Sequence, residues 1–165
     1  MNTVFFSLGS NLGDRLLNLR TAVTLIDKGL LCRSEVSGIY ETEPWGKSGQ
    51  PYFLNLVLKI NSPLIESVNL LKYLRNIEDQ MGRKRLEKWG PRLIDIDILF
   101  YDNEILNTEE ITLPHPGIPV RMFVLAPMVE LAPDFIHPVL LKNMTELYQQ
   151  CIDPLKIELL NGVNL

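Results

Sequence analysis

Two acidic residues separated by a single isoleucine, Asp95-Ile96-Asp97, stand inside the run Leu93 to Tyr101, LIDIDILFY. Its β-branched content and strict alternation predict a strand. A period of two places both carboxylates on one face and Ile94, Ile96, Ile98 and Phe100 on the other. The two Cα atoms would then be about 6.6 Å apart, close enough for the side chains to bridge cations that are themselves roughly 4 Å apart. Two bare carboxylates at that spacing repel by on the order of a few kcal/mol at an intermediate effective dielectric. That repulsion favours recruiting Mg2+, a hard cation that takes oxygen ligands and keeps water and phosphate in its shell. The plainer alternative, two unrelated acids on a solvent-facing strand, needs some compensation because Asp is disfavoured in strands.

Five of the sixteen basic residues, Arg83, Lys84, Arg85, Lys88 and Arg92, fall within ten positions. A charge run is ordinarily a solvated loop, but only the Gly90-Pro91 turn separates this one from the acid pair. Guanidiniums and metal-binding carboxylates therefore border one cleft, a combination suited to a polyphosphate. Phosphoryl transfer requires cations around the non-bridging oxygens and an aligned nucleophile, with little covalent participation by the protein. Arg83 and Arg85 lie just past a helix end, where they could close over a nucleotide, and Arg92 beside the strand is the steadier contact. His115, between Pro114 and Pro116, is held in a stiff loop. A lone loop histidine is more often structural, and its company with Thr112 and Arg121 is what points it toward phosphate. Phe53, Trp89 and Phe123 would serve equally as core or as platforms. Phe53, however, shares a strand face with Asn55, and Trp89 adjoins the arginines, which suits stacking on a flat heterocycle whose edge an amide reads.

These side chains need elements to hold them. A strand is expected at 3 to 8, ending at Gly9-Ser10-Asn11, where Ser10 or Asn11 would cap an amphipathic helix from about 12 to 28 that stops at Gly29. A strand near 32 to 41, a broken loop from Thr42 to Pro51, and a strand at 52 to 60 follow. In the last, Leu54, Leu56, Leu58 and Ile60 share one face and Phe53, Asn55 and Val57 the other. Ser62 and Pro63 would open a second helix with the stripe Leu70, Leu74, Ile77 and Met81, ending at Gly82. Beyond the acidic strand come a turn at Asp102-Asn103, a short strand at Ile111 to Leu113, a helical turn opened by Pro119 that carries Arg121 and Phe123, and a short helix near 143 to 151. Alternating elements with hairpin-like joins predict an α+β sandwich around a mostly antiparallel sheet.

At 165 residues and 46% hydrophobic the chain suits one domain, residues 1–165. The N-terminus has too short an apolar run for a signal peptide or a membrane span, so a cytoplasmic protein without membrane contact is expected. Cys32 and Cys151 form no C-x-x-C pair and are expected as buried, reduced thiols. The sequon at Asn143 has no consequence without export. A net charge of −4 argues against a nucleic-acid coat. Trp45-Gly46-Lys47-Ser48 imitates half of a phosphate-binding P-loop, but the first glycine of that motif would fall at Glu41 and no helix can follow past Gly49 and Pro51.

The pattern Gly82-Arg83-x-Arg85-x-x-Lys88-Trp89-Gly90-Pro91-Arg92-x-x-Asp95-x-Asp97-Ile98-Leu99 closely resembles the signature of 6-hydroxymethyl-7,8-dihydropterin pyrophosphokinases. Gly9-Ser10-Asn11, Tyr40-Glu41-Thr42, Gln50, Phe53-Leu54-Asn55, and Pro114-His115-Pro116 with Arg121 and Phe123 resemble further blocks of that family, in order. The likeness implies a three-layer α/β/α fold related to the ferredoxin-like arrangement, ATP as donor, AMP as product, and two Mg2+ ions on Asp95 and Asp97. It implies that Arg83 and Arg92 act with those aspartates in the transfer. The pterin would sit between Phe53 and Phe123 near Trp89, with Asn55, Thr42 and Trp45 reading its edge. Glu78, Arg83, Arg85, Lys88, Trp89, Arg92, Ile98, Thr112, His115 and Arg121 would line the nucleotide. Lys88 stands where many members carry arginine, which exchanges a bidentate grip for a point charge. The expected partners are these small molecules, in possible functional association with other folate-pathway enzymes and with no nucleic acid. A two-metal nuclease or nucleotidyl transferase, and a non-catalytic RNA-binding sheet, are the competing readings.

Overall fold

The computed structural model describes residues 2–46, 48–61, 65–82 and 90–165. Arg83, Arg85, Lys88 and Trp89, together with the Ser62-Pro63 helix opening, lie outside the described residues.

The sheet is built on three long antiparallel strands. β1 (Thr3–Ser10) lies between β4 (Phe53–Asn61) and β5 (Asp95–Tyr101). The short strands β2 (Glu35–Val36) and β3 (Tyr40–Thr42) both pair with β4, and β8 (Ile157–Leu159) adds to β3, giving the order β5-β1-β4-β3-β8. A two-stranded ribbon of β6 (Leu106–Asn107) and β7 (Thr112–Leu113) stands apart. Alternation along the long strands sends Val4, Phe6, Leu8, Leu54, Leu56, Leu58, Ile60, Ile96 and Ile98 to one face, where α1 (Arg15–Leu30) and α2 (Ser67–Gln80) cover them. Each such fully buried Leu or Ile contributes roughly 1.5–3 kcal/mol. The other face carries Phe5, Val57, Leu99 and Phe100 under α3 (Met122–Leu131) and α4 (Met144–Gln150). The result is the expected α+β fold, three layers deep around an antiparallel sheet. No helix among the described residues is long and apolar enough to cross a membrane.

Several boundaries differ from expectation for identifiable reasons. α1 starts later, because Asp14 rather than Ser10 or Asn11 caps it, accepting from Leu17 N at 3.0 Å. It also runs through Gly29 to a left-handed Leu31. Gly29 is there for packing: a Cβ at that position would lie 1.7 Å from the Tyr73 hydroxyl. The strand expected over 32 to 41 is split, since Ser37 turns its own hydroxyl to accept from Val57 N at 2.9 Å while its N–H donates to Val57 O. α2 begins at Ser67 with Glu66 at its N-cap position. A register shift between Phe5 and Phe6 bulges β5 at Leu99, so Phe100 packs with Leu99 on the α3 side and not with Ile98. Where a single turn was expected, a 3-10 turn (Ile118–Val120) leads into the ten-residue helix α3, which accommodates Pro127. Cys32 and Cys151 are free but only partly buried. Asn143 is engaged as the N-cap of α4 in a reciprocal capping box with Glu146.

Glu78 ties α2 to the edge strand. The residue is 2% exposed and its Oε1 accepts from Ile96 N at 2.7 Å. Because successive residues of an antiparallel strand direct their backbone groups to alternate sides, Ile98 also presents its N–H and C=O to the β5 edge. Removing the acceptor from a buried amide costs about 1–3 kcal/mol. Glu78→Ala should therefore lower the unfolding free energy by about that amount in a urea titration, and Glu78→Gln by clearly less. Equal losses in both variants would show that the bond to Ile96 is not what the side chain contributes.

Candidate active site

The polar half of the α3-side face opens as a cleft of about 280 Å³. Its floor comes from the sheet: Ser7 and Gly9 of β1, Phe53 and Asn55 of β4, and Asp95 and Asp97 of β5. One wall is the end of β3 and the loop after it, with Thr42, Glu43 and Trp45, and the other is His115 with Arg121 and Phe123 from the start of α3. Arg92 closes the end nearest the carboxylates. The register makes this floor. Gly9 pairs with both Asn55 and Asp95, and Ser7 with both Val57 and Asp97, so all these side chains leave the sheet on the same side.

At the aromatic end Asn55 is buried, and its Nδ2 donates to Thr42 Oγ1 at 2.6 Å. The amide orientation is thereby set, and Oδ1 is left toward Gly9. A Cβ on Gly9 would come within 2.6 Å of that oxygen and 3.5 Å of the Phe53 ring, so the floor tolerates no larger residue.

At the charged end Arg92 Nη1 donates to Asp95 Oδ2 at 2.5 Å, and its guanidinium lies over the Phe53 ring, 5.9 Å from the centroid. Asn11 anchors this arginine through the backbone: its Oδ1 accepts from Arg92 N at 2.8 Å and its own N–H donates to Arg92 O at 3.1 Å. The Asn11 Nδ2 reaches across to Gln50 Oε1 and Pro51 O, both at 3.1 Å. Arg121 stacks over Trp45 at 4.7 Å and Phe123 at 5.8 Å. Burial lowers its pKa from the ordinary arginine value, while Asp97 and Asp95 pull it back up. Its Nε is buried and has no hydrogen-bond partner among the described residues. A buried donor in that state is a position for an incoming acceptor.

His115 is held twice, once by β5 and once by its own loop. Its N–H donates to the bulged Leu99 carbonyl at 2.9 Å, and Nδ1 accepts from Gly117 N at 3.0 Å. Burial, with Arg121 adding to it and Asp95 opposing, pushes the imidazole down to about 4. At neutral pH the ring is uncharged, and with Nδ1 accepting, the proton sits on Nε2.

The structure thus brings together Thr42, Trp45, Phe53, Asn55, Arg92, Asp95, Asp97, His115, Arg121 and Phe123. Three further residues expected at the nucleotide do not line this cleft. Glu78 is buried under β5, the Ile98 side chain is in the core, and Thr112 Oγ1 donates to Asn107 Oδ1 at 3.2 Å in the β6-β7 ribbon. Ser7, Glu43 and the anchoring Asn11 were not expected as site residues. For Asn11 the signal was the Gly9-Ser10-Asn11 block, and for Ser7 it was strand parity with Gly9. Glu43 had no signal short of the folded loop.

A metal needs hard oxygen donors here, and the carboxylates of Asp95 and Asp97, on one face of one strand beside two arginines, supply them. Among the described residues no group of three or more His, Cys, Asp or Glu side chains could hold a metal by itself. Two carboxylates with water and phosphate completing the shell is the way Mg2+ is ordinarily held at nucleotide sites.

A cleft with cations and carboxylates at one end and a stacking slot with a buried amide at the other defines a phosphoryl-transfer enzyme acting on a flat heterocyclic acceptor. Comparison with known proteins narrows the class. The model of the 7,8-dihydro-6-hydroxymethylpterin-pyrophosphokinase (HPPK) family matches residues 5–133. The 2-amino-4-hydroxy-6-hydroxymethyldihydropteridine pyrophosphokinase of Aquifex aeolicus is 40% identical over 146 residues, which is 88% of this chain and 90% of that protein. The enzyme of the same name from Bacillus subtilis is 42% identical over 131 residues, 79% of this chain and 78% of the relative. The solved structure of wild-type Plasmodium falciparum HPPK-DHPS with pteroate superposes with a TM-score of 0.74 at 17% identity, over 90% of this chain and 44% of that one, a likeness of fold. The chain belongs to the HPPK family.

Two outcomes follow from this geometry. Gly9→Ala should raise the KM for the pterin about tenfold or more, because the new methyl displaces Asn55, and leave the KM for ATP within about twofold. Equal pterin KM values would show that the Asn55 amide does not read that substrate. For His115, a folded pKa below the usual 6.5 means that the unfolded chain binds the extra proton first. The stability contributed by neutral His115 is complete above pH 6.5 and is lost as the pH falls from there toward 4. Urea titrations of the metal-free protein at pH 7 and pH 5 should show His115→Asn losing less stability between the two than the wild type, by up to about 2 kcal/mol. Parallel losses would refute the assignment.

Proposed function

We propose that this cleft is where the chain carries out the family's reaction, the transfer of the terminal pyrophosphoryl unit of ATP to the hydroxymethyl group of 6-hydroxymethyl-7,8-dihydropterin. The enzyme is a pyrophosphokinase of folate biosynthesis, with ATP as co-substrate and AMP as the leaving product. The observation that carries the placement is the shared face of Asp95, Asp97 and Asn55, which puts the charged and heterocycle-binding ends within one cleft.

The pterin ring lies against Phe53 and Phe123, with the Asn55 oxygen accepting from its edge and the backbone around Thr42 and Trp45 completing the rim. Its hydroxymethyl group then points along the floor toward Asp97. Attack on the β-phosphorus needs the phosphate chain held in line, which Arg92, Arg121 and the Nε2–H of neutral His115 accomplish as fixed donors. Arg121 meets the phosphate with its unpartnered Nε, so no existing bond need break. A neutral histidine donates to a phosphate oxygen without giving up a proton. Asp97 is placed to receive the hydroxyl proton. Arg83, Arg85, Lys88 and Trp89 add cations and a platform on the nucleotide side, the Ile98 backbone at the β5 edge meets the adenine, and Glu78 acts by holding that edge. Mg2+ on Asp95 and Asp97, as two ions, would neutralise the phosphate oxygens and lower the pKa of the bound hydroxyl.

Residues 1–165 act as one pyrophosphokinase domain, in the cytoplasm, on small molecules and without nucleic acid. The name of the Plasmodium protein, HPPK-DHPS, and the fact that this chain spans less than half of it, support an association with other folate enzymes.

Asp95→Ala and Asp97→Ala should each lower AMP and pterin diphosphate formation by at least about a hundredfold, measured by chromatography of the products with no nucleic acid present. Undiminished transfer in either single variant would remove the acid pair from the mechanism. AMP formation that requires added nucleic acid would favour a nucleotidyl transferase instead.

A further inference from the structure

The chain past α4 is folded against both walls of the cleft. Asp153 begins it. Its Oδ2 accepts from Met122 N at 3.0 Å and its Oδ1 from Leu155 N at 3.1 Å. Met122 is the first residue of α3, whose own N-cap position, Arg121, makes no side-chain cap bond. The cap of α3 therefore comes from 31 residues downstream, and it holds the turn that presents Arg121 and Phe123. Three residues on, Lys156 N donates to Glu43 Oε2 at 2.9 Å and Lys156 O accepts from Glu43 N at 3.1 Å. β8 then pairs with β3, Ile157 opposite Thr42, the residue that orients Asn55. One short segment thus fastens the α3 wall and the Thr42–Trp45 wall at a fixed separation.

We infer that residues 153–159 form a strap setting the width of the pterin slot, with Asp153 as a positioning residue for pterin binding. The inference rests on the assignment of this cleft to the pterin. The strap is separable from folding of α3, because Val124, Leu125 and Met128 bury that helix in the core independently of its first turn. Loss of a cap frays the first turn, where backbone N–H groups have no helical partner. The Arg92 end of the cleft is anchored by Asn11 and does not depend on the strap.

The test is steady-state kinetics on the full chain with ATP, Mg2+ and hydroxymethyl-dihydropterin. Asp153→Ala should raise the pterin KM about five- to tenfold and the ATP KM by a clearly smaller factor, passed on through Arg121, and Asp153→Asn, which keeps an acceptor, should recover most of the loss. Lys156→Pro, which removes the N–H given to Glu43 and leaves Asp153 intact, should move the pterin KM in the same direction, and it decides the matter if Asp153→Ala fails to fold. Asn55→Ala serves as the reference for the pterin assignment. An unchanged pterin KM in both Asp153→Ala and Lys156→Pro, with a raised value in Asn55→Ala, overturns the strap and leaves the cleft. Pterin and ATP constants rising by the same factor likewise overturn it, since that is general loosening. No change in Asn55→Ala removes the cleft assignment itself.

Discussion

Strand parity in β1, β4 and β5 is the constraint on which the molecule depends. Each of these strands sends alternate residues to a helix-covered apolar face, and a slip of one residue would bury Asp95, Asp97 and Asn55 against α1 and α2. Burying unpaired carboxylates there is far more costly than anything the core could return. Register is therefore held by the core, and the site is a by-product of the same alternation: the residues left over when the apolar set is satisfied. The opposite face is divided lengthwise. Its Phe5, Val57, Leu99 and Phe100 end is sealed by α3 and α4, and its Ser7, Gly9, Asn55, Asp95 and Asp97 end stays open.

The bulge at Leu99 marks where one regime gives way to the other. It returns Phe100 to the sealed side beside Leu99, where the ring meets Phe5 and Phe135 edge-on, and it turns the Leu99 carbonyl out to accept from His115. A bulge re-aims a strand end at the cost of one ladder position. Here the lost position fixes the loop that carries the site histidine.

What could be read before folding was whatever followed a period. The alternation of β4 and β5 and the stripe of α2 were legible, and with them the shared face of the two aspartates and the neighbourhood of Phe53 and Asn55. Glycine at 29 was misread as a stop because a packing glycine and a terminating one look alike in sequence, and only the Tyr73 hydroxyl against it separates them. The bulge was invisible because an extra residue leaves no mark on an apolar run. Glu43, Asp153 and β8 escaped for a different reason: their partners are far away in the chain, and polar side chains bonding distant backbone have no period. Glu78 was legible as a residue only through family likeness, and its bond to Ile96 N is another side-chain contact to distant backbone without a period.

The electrostatics of the cleft follow from burial more than from count. Arg121 is half-buried against Trp45 and Phe123, and Asp97 and Asp95 hold its charge, so its field is screened less than at the open surface. The same burial, with that same cation, discharges His115. Burial first and the neighbouring guanidinium second keep the imidazole neutral, so the pair is one charged donor and one neutral donor in place of two cations that would repel each other. Arg92, engaged with Asp95, adds a cation whose charge is offset until a ligand draws the carboxylate away. On the proposed assignment, such a site would take a polyanion without accumulating positive charge, which reconciles a triphosphate ligand with a net charge of −4.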